Sequence, residues 1–193
     1  MSEPLLAVLV GGRSSRMGTH KGLLPAPGRS DTLLESLVAA GREARLNVAL
    51  VGDAAPYASL APEVPRVEDR PPGSGPLGGL GGALDFAASE SRGRIILVAC
   101  DMPHVRAPIL RTIAEHPSDA AVVAPRRTES APWEPLLARY DVAQVAPVLD
   151  DALRRGTRSF QELFESMRIE ALSVTGELNR ALADWDTPAD VTT

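Results

Sequence analysis

The 193-residue chain is poor in several of the residues that define whole classes of protein. It has one cysteine, Cys100, which excludes an intrachain disulfide framework and a cysteine-rich metal site, and suits a cytoplasmic location. It lacks any apolar run near the ~20 residues of a membrane-spanning helix, and its N-terminus (MSEPLLAVLVGG) does not read as a secretory leader. Positive charge is also scarce. The net charge of −5 argues against a general nucleic-acid surface. Lysine is the rarest of the charged residues: the twenty basic side chains are nineteen arginines and Lys21. A bias this strong reflects coding composition, so the position that kept an ammonium is worth a chemical question, because a planar guanidinium does not replace a compact charge everywhere.

What the chain does have is an ordered alternation of apolar runs and amphipathic segments. Residues 4–10 form a continuous apolar run ending at Gly11-Gly12, as a buried strand does. A helix follows over 31–46, opened by Asp31 or Thr32 as its N-cap. Strands are expected at 47–52, 64–68, 95–100, 120–124, 136–140 and 169–174, with helices at 78–91, 106–116, 142–155 and 159–167 and a short one after Pro188. The fold class is therefore α/β: one domain over 1–193, a three-layer sandwich with a mostly parallel sheet covered on both faces. Ligands in such folds sit beyond the C-terminal ends of the strands, which brings three polar loops, 11–21, 69–79 and 101–104, to one edge.

The first loop, GGRSSRMGTHK over 11–21, joins adjacent glycines to two cations, Arg16 and Lys21. Backbone N–H groups freed by glycine, with cations beside them, suit a polyphosphate. The run is neither a P-loop nor GxGxxG. Gly73–Gly78 does spell GxGxxG, but Pro71-Pro72 precede it where that fingerprint needs a strand.

LVGGRSSRMGTHKGLL resembles the N-terminal signature of the molybdenum cofactor guanylyltransferases, and EDRPPGSGPLGGL, VACDMPHV, PWEPLLARY and DWDTPAD continue the likeness in order over nearly the whole chain. The resemblance implies a Rossmann-like fold and transfer of GMP from GTP to the terminal phosphate of molybdopterin or its molybdenum-loaded form, with release of pyrophosphate and Mg²⁺ as the metal. It also implies exchange of the pterin with cofactor-donating and cofactor-accepting proteins, with no nucleic acid or membrane as partner. It assigns Leu9, Val10 and Gly11 to the guanine and ribose, and Gly12, Arg16 and Lys21 to the triphosphate. Asp69 falls to the base or ribose, and Gly75, Pro76 and Leu77 to the loop that cups the purine. A carboxylate at Asp69 suits guanine, since it accepts from N1–H and the exocyclic amine together. Asp101, at the end of the clearest central strand, is the expected Mg²⁺ ligand, because Mg²⁺ takes one or two carboxylates plus phosphate oxygens and waters. Arg16, Lys21 and Asp101 form the expected catalytic set.

The chain departs from the signature at three places. His20 replaces the usual Asp, Val10 the commoner Ala, and Asp184 and Asp186 the more usual Asn pair. Asp186 reads equally as a second metal ligand or as an N-cap. Arg126, Arg127, Arg155 and Arg158 are loose candidates for the pterin phosphate. Cys100 reads as a small core residue. Three other readings stay open: a cytidylyltransferase of the same cofactor, a sugar-nucleotide pyrophosphorylase, and a GTP-binding homologue that lost catalysis.

Overall fold

The apolar run after Pro4 becomes the centre of the molecule. In the computed structural model, which describes residues 3–11, 20–174 and 176–185, Leu5–Val10 (β1) is flanked on both sides by parallel strands, Asn47–Gly52 (β2) and Arg94–Ala99 (β4). Arg66–Val67 (β3), Val122–Arg126 (β5), Leu137–Asp141 (β6) and Ile169–Ser173 (β7) complete a seven-stranded sheet of order β3-β2-β1-β4-β6-β5-β7. The strand at 136–140 runs antiparallel to both its neighbours; the other pairs are parallel. The expected α/β class is the one found.

Helices cover both faces. Leu33–Glu43 (α1), Ala107–Glu115 (α3) and Gly176–Ala181 (α6) pack over one face through Leu34, Leu37, Leu110, Ile113 and Leu178. Pro76–Ser89 (α2), Val142–Arg154 (α4) and Phe160–Phe164 (α5) cover the other. Of the two expected caps for α1, Thr32 is the one used: its hydroxyl accepts from the Glu35 amide at 3.2 Å, and the Glu35 carboxylate accepts from the Thr32 amide at 2.8 Å. This reciprocal box satisfies two otherwise orphaned donors.

Three expectations need adjustment. Helix α2 starts at Pro76 rather than 78, because Gly75 takes φ +60° as N-cap and proline suits the first helical position. The strand expected over 64–68 shrinks to two paired residues at the sheet edge. Helix α6 was not expected, since it is one and a half turns long and leans on the core through Leu178 and Ala181 rather than on its own periodicity.

The strand order reverses direction at β1 and β4, and this places the site. Cys100 N–H donates to the Leu9 carbonyl at 3.1 Å, so the loops leaving the two central strands begin side by side. A doubly wound sheet opens a crevice at such a switch point.

Candidate active site

Lys21 and Asp101 are 80 residues apart in sequence and meet across that crevice, with Nζ 2.8 Å from Oδ2. Their side chains are 16% and 19% exposed, so the pair is shielded from bulk water yet open to a ligand. Lys21 begins a short 3-10 turn, Lys21–Leu23, and Asp101 follows the last residues of β4. Both line a cleft of about 360 Å³ together with Leu9, Gly11, Pro76 and Asp184. Gly11 has φ +104°, and a Cβ there would come within 3.0 Å of the Asp53 amide nitrogen. Only glycine lets the chain turn so closely past the end of β2.

The other expected residues divide according to where their side chains go. Val10 is buried in the core under α1 and brings only its backbone to the site edge. Leu77 is likewise fully buried, facing the sheet, while the preceding Pro76 reaches the cleft. Gly75 is the N-cap of α2. Asp69 lies in an adjoining groove of about 520 Å³, lined with Gly52, Asp53 and Gly73. Its Oδ1 sits 3.4 and 3.5 Å from where Cβ atoms on Gly52 and Gly79 would be, so two glycines make room for it. Burial raises its carboxyl above the ordinary 3.8. Gly12, Arg16 and Asp186 lie outside the described residues.

Asp184 is held in the cleft by its neighbour. Trp185 is buried against Leu24, Ala26 and Leu33, and its backbone N–H donates to the Asp101 carbonyl at 3.1 Å. The four arginines suggested for an acceptor phosphate separate. Arg126 stacks 4.7 Å over the Trp133 ring, and Arg127 pairs with Glu134 at 3.1 Å, both beside the cleft wall. Arg155 closes α4 in an ion pair with Asp151, and neither it nor Arg158 lines the cleft. The Cys100 thiol is pushed up to about 11 by burial and by the neighbouring Asp101 carboxylate, so it stays protonated and inert, as a core residue should.

Sequence reasoning did not single out Tyr57, Asp53 or the wall formed by Glu134, Pro135 and Leu136. The wall was visible within PWEPLLARY. It reaches the edge because β6, being antiparallel, begins where β4 ends. Tyr57 carried no motif.

The arrangement is one that neutralises and aligns: a cation, a carboxylate and a glycine backbone converge at a switch point, without a nucleophile-base pair among the described residues. Comparison with known proteins agrees. The profile of the MobA-like NTP transferase domain matches residues 6–170. A probable molybdenum cofactor guanylyltransferase from Carboxydothermus hydrogenoformans is 31% identical over 195 residues, spanning 98% of this chain and 94% of its own. The molybdenum cofactor guanylyltransferase of Xanthomonas euvesicatoria pv. vesicatoria is 32% identical, spanning 94% of this chain and 88% of its own. In fold, the chain is similar to molybdopterin-guanine dinucleotide biosynthesis protein A from Archaeoglobus fulgidus, with a TM-score of 0.78 at 23% identity over 97% and 94% of the two chains. With the family profile matched over residues 6–170 and a relative 31% identical over nearly the whole chain, the chain belongs to the MobA-like NTP transferase family and is a nucleotidyltransferase.

Proposed function

We propose that the protein transfers GMP from GTP to the terminal phosphate of molybdopterin, or of its molybdenum-loaded form, and releases pyrophosphate. The observation that carries this reading is the Lys21–Asp101 pair beside the Gly11 backbone at the switch point. Near-full-length relatives that are molybdenum cofactor guanylyltransferases, known or probable, support the choice of substrates. A phosphate monoester is already anionic at neutral pH, so the acceptor needs no general base. The obstacle is repulsion between two anions, and a site overcomes it by placing positive charge and fixing the line of attack. Lys21 and Arg16 supply charge to the triphosphate, the Gly11-Gly12 backbone follows its oxygens, and the ammonium at Lys21 faces the α-phosphate.

The donor chemistry fits Mg²⁺. Asp101 offers a hard, partly exposed carboxylate, Asp184 lines the same cleft, and phosphate oxygens would complete the shell. When bound, Mg²⁺ polarises phosphoryl oxygens and neutralises developing charge. Asp69 in the adjoining groove supports guanine, as an acceptor for N1–H and the exocyclic amine.

Reconstitution with molybdopterin, Mg²⁺ and each of the four NTPs tests the reading. Dinucleotide product from GTP alone is expected. Product from CTP instead would make it a cytidylyltransferase, and GTP binding without product would make it a binding homologue.

A further inference from the structure

Tyr57 sits where three segments of the cleft meet. It ends the short 3-10 turn Ala55–Tyr57 that follows β2, is 1% exposed, and lines the cleft with Lys21, Cys100 and Asp101. A Cβ on Gly22 would lie 2.8 Å from Tyr57 Cε1 and 3.2 Å from its hydroxyl oxygen, so the residue after Lys21 rests directly on the phenol. The hydroxyl lies against Gly22, and Cys100, the residue before Asp101, lines the same cleft and belongs to the same core cluster as Tyr57. On the outer side, the His20 ring meets the Tyr57 ring edge-on, with centroids 5.9 Å apart and planes at 73°. One phenol thus touches the residues on both sides of Lys21 and shares a cleft wall with the residue preceding Asp101.

That contact matters because of how Lys21 is carried. Its 3-10 turn is three residues long and has no side-chain cap from His20. Turns of this kind have little stability of their own and take their position from what they pack on. Asp101, by contrast, leaves a fully paired central strand. A group that packs on both segments can set the short turn against the paired strand. Tyr57 is such a group, and its turn adds a third anchor through β2.

We propose that Tyr57 is a positioning residue that holds the Lys21 turn against the end of β4, through its ring on Gly22 and His20, its hydroxyl on Gly22 and the cleft wall it shares with Cys100. The ammonium and carboxylate thereby meet in a preset geometry. The consequence for turnover rests on the reading that Lys21 and Asp101 handle the triphosphate. The geometric claim does not.

The composition supplies a direct probe. Lys21 is the sole lysine of the chain, so acylation by an amine-reactive ester, read by mass spectrometry on its peptide, reports on that one ammonium without nucleotide or turnover. Tyr57→Phe keeps the ring and removes the hydroxyl. It is expected to fold, to label at Lys21 about fivefold faster than the parent, and to approach Asp101→Asn, in which the pair is broken. In GTP-dependent pyrophosphate release its kcat is expected to fall about tenfold with little change in KM, the signature of misalignment rather than lost binding. Cys100→Ala, which takes away the thiol of that shared wall, is expected to speed labelling about twofold. Parent-like labelling in both variants overturns the proposal, as does a Tyr57→Phe variant whose KM rises while kcat and labelling stay unchanged. If the parent releases no pyrophosphate while Tyr57→Phe still labels faster, the positioning claim stands and the transfer reading falls.

Discussion

An ammonium kept in a chain that otherwise uses guanidinium has a geometric reason at Lys21. The cleft floor leaves room for a point charge 2.8 Å from Asp101, with little exposure on either side. A guanidinium there would pair with the carboxylate in two-pronged fashion and hold it away from other ligands. Lys21→Arg is therefore expected to lower kcat/KM for pyrophosphate release by about tenfold or more with the fold intact. Activity equal to the parent would show that charge alone is required. Asp69 gives a prediction of the same scale. Burial raises its carboxyl, so it takes up a proton at a higher pH than a free aspartate. A protonated acid is a poorer acceptor for guanine, and GTP affinity should weaken as pH falls through that raised value; Asp69→Asn should flatten the dependence in a binding titration. The sign for folding is opposite. Native Asp69 holds its proton more tightly than the unfolded chain does, so its contribution to stability rises as pH falls through the same window.

The elements show how residue choice answers to neighbours that are remote in sequence. Helix α2 carries glycines at 78, 79, 81 and 82, a composition that by propensity disfavours helix. Each is needed for close approach: Cβ atoms at Gly81 and Gly82 would come within 2.2 and 2.1 Å of the Arg70 and Glu68 carbonyl oxygens. The glycines let α2 lie directly on the segment that carries Asp69. Gly82→Ala would gain about 1 kcal/mol of helix propensity. The overlap with rigid backbone should cost more, about 1–3 kcal/mol for overpacking and beyond that where backbone must shift. Net destabilisation in urea unfolding is the expected outcome, and a stabilised variant would show that the segment yields. Arg139 makes the same point from the other face. It is 2% exposed on β6, and its guanidinium donates to the carbonyls of Ala114, His116 and Ser118 at 3.1, 2.6 and 2.9 Å. The last turn of α3 thus finds its hydrogen-bond partner in a strand residue 25 positions from Ala114, and a cation there also suits the helix dipole. In sequence, LLARY shows an alternating strand with an arginine in it and nothing of the helix that the arginine closes.

At the scale of the whole molecule, the site is an assembly point. Three carboxylates come to it from β4, from the 69–79 loop and from the C-terminal segment, and Lys21 joins from the first loop. Trp185 holds the last of these in place. Truncating a buried tryptophan in a closed core costs about 3–5 kcal/mol, but the segment around Trp185 can detach locally and so limits the global loss. Trp185→Ala is accordingly expected to lower the melting temperature by only a few degrees while reducing turnover about tenfold, because alanine keeps the backbone N–H but not the buried ring that holds it against the Asp101 carbonyl. A large fall in stability with unchanged turnover would make Trp185 a structural residue only.

The parts of the site that lie next to a strand end were legible beforehand. Gly11 and Asp101 each follow a continuous apolar run, and hydrophobic periodicity marks where such a run stops. The succession of the longer strands and helices, the α/β class and the edge at which the cleft opens follow from the same local pattern, because burial of apolar surface has to match the period of the backbone. Other features depended on which elements lie side by side. Val10 and Leu77 belong to the signature loops, yet their side chains face the core. Tyr57 has no motif, yet it touches the residues on both sides of Lys21. The antiparallel sense of β6 brings Glu134 to the rim. Sequence alone determined the longer elements, the fold class and the chemical types available at the site, all properties of residues close along the chain. Tertiary structure decided the 2.8 Å meeting of Lys21 with Asp101 and the groove that buries Asp69, because contacts between residues 80 apart arise only when the strands that carry them pair.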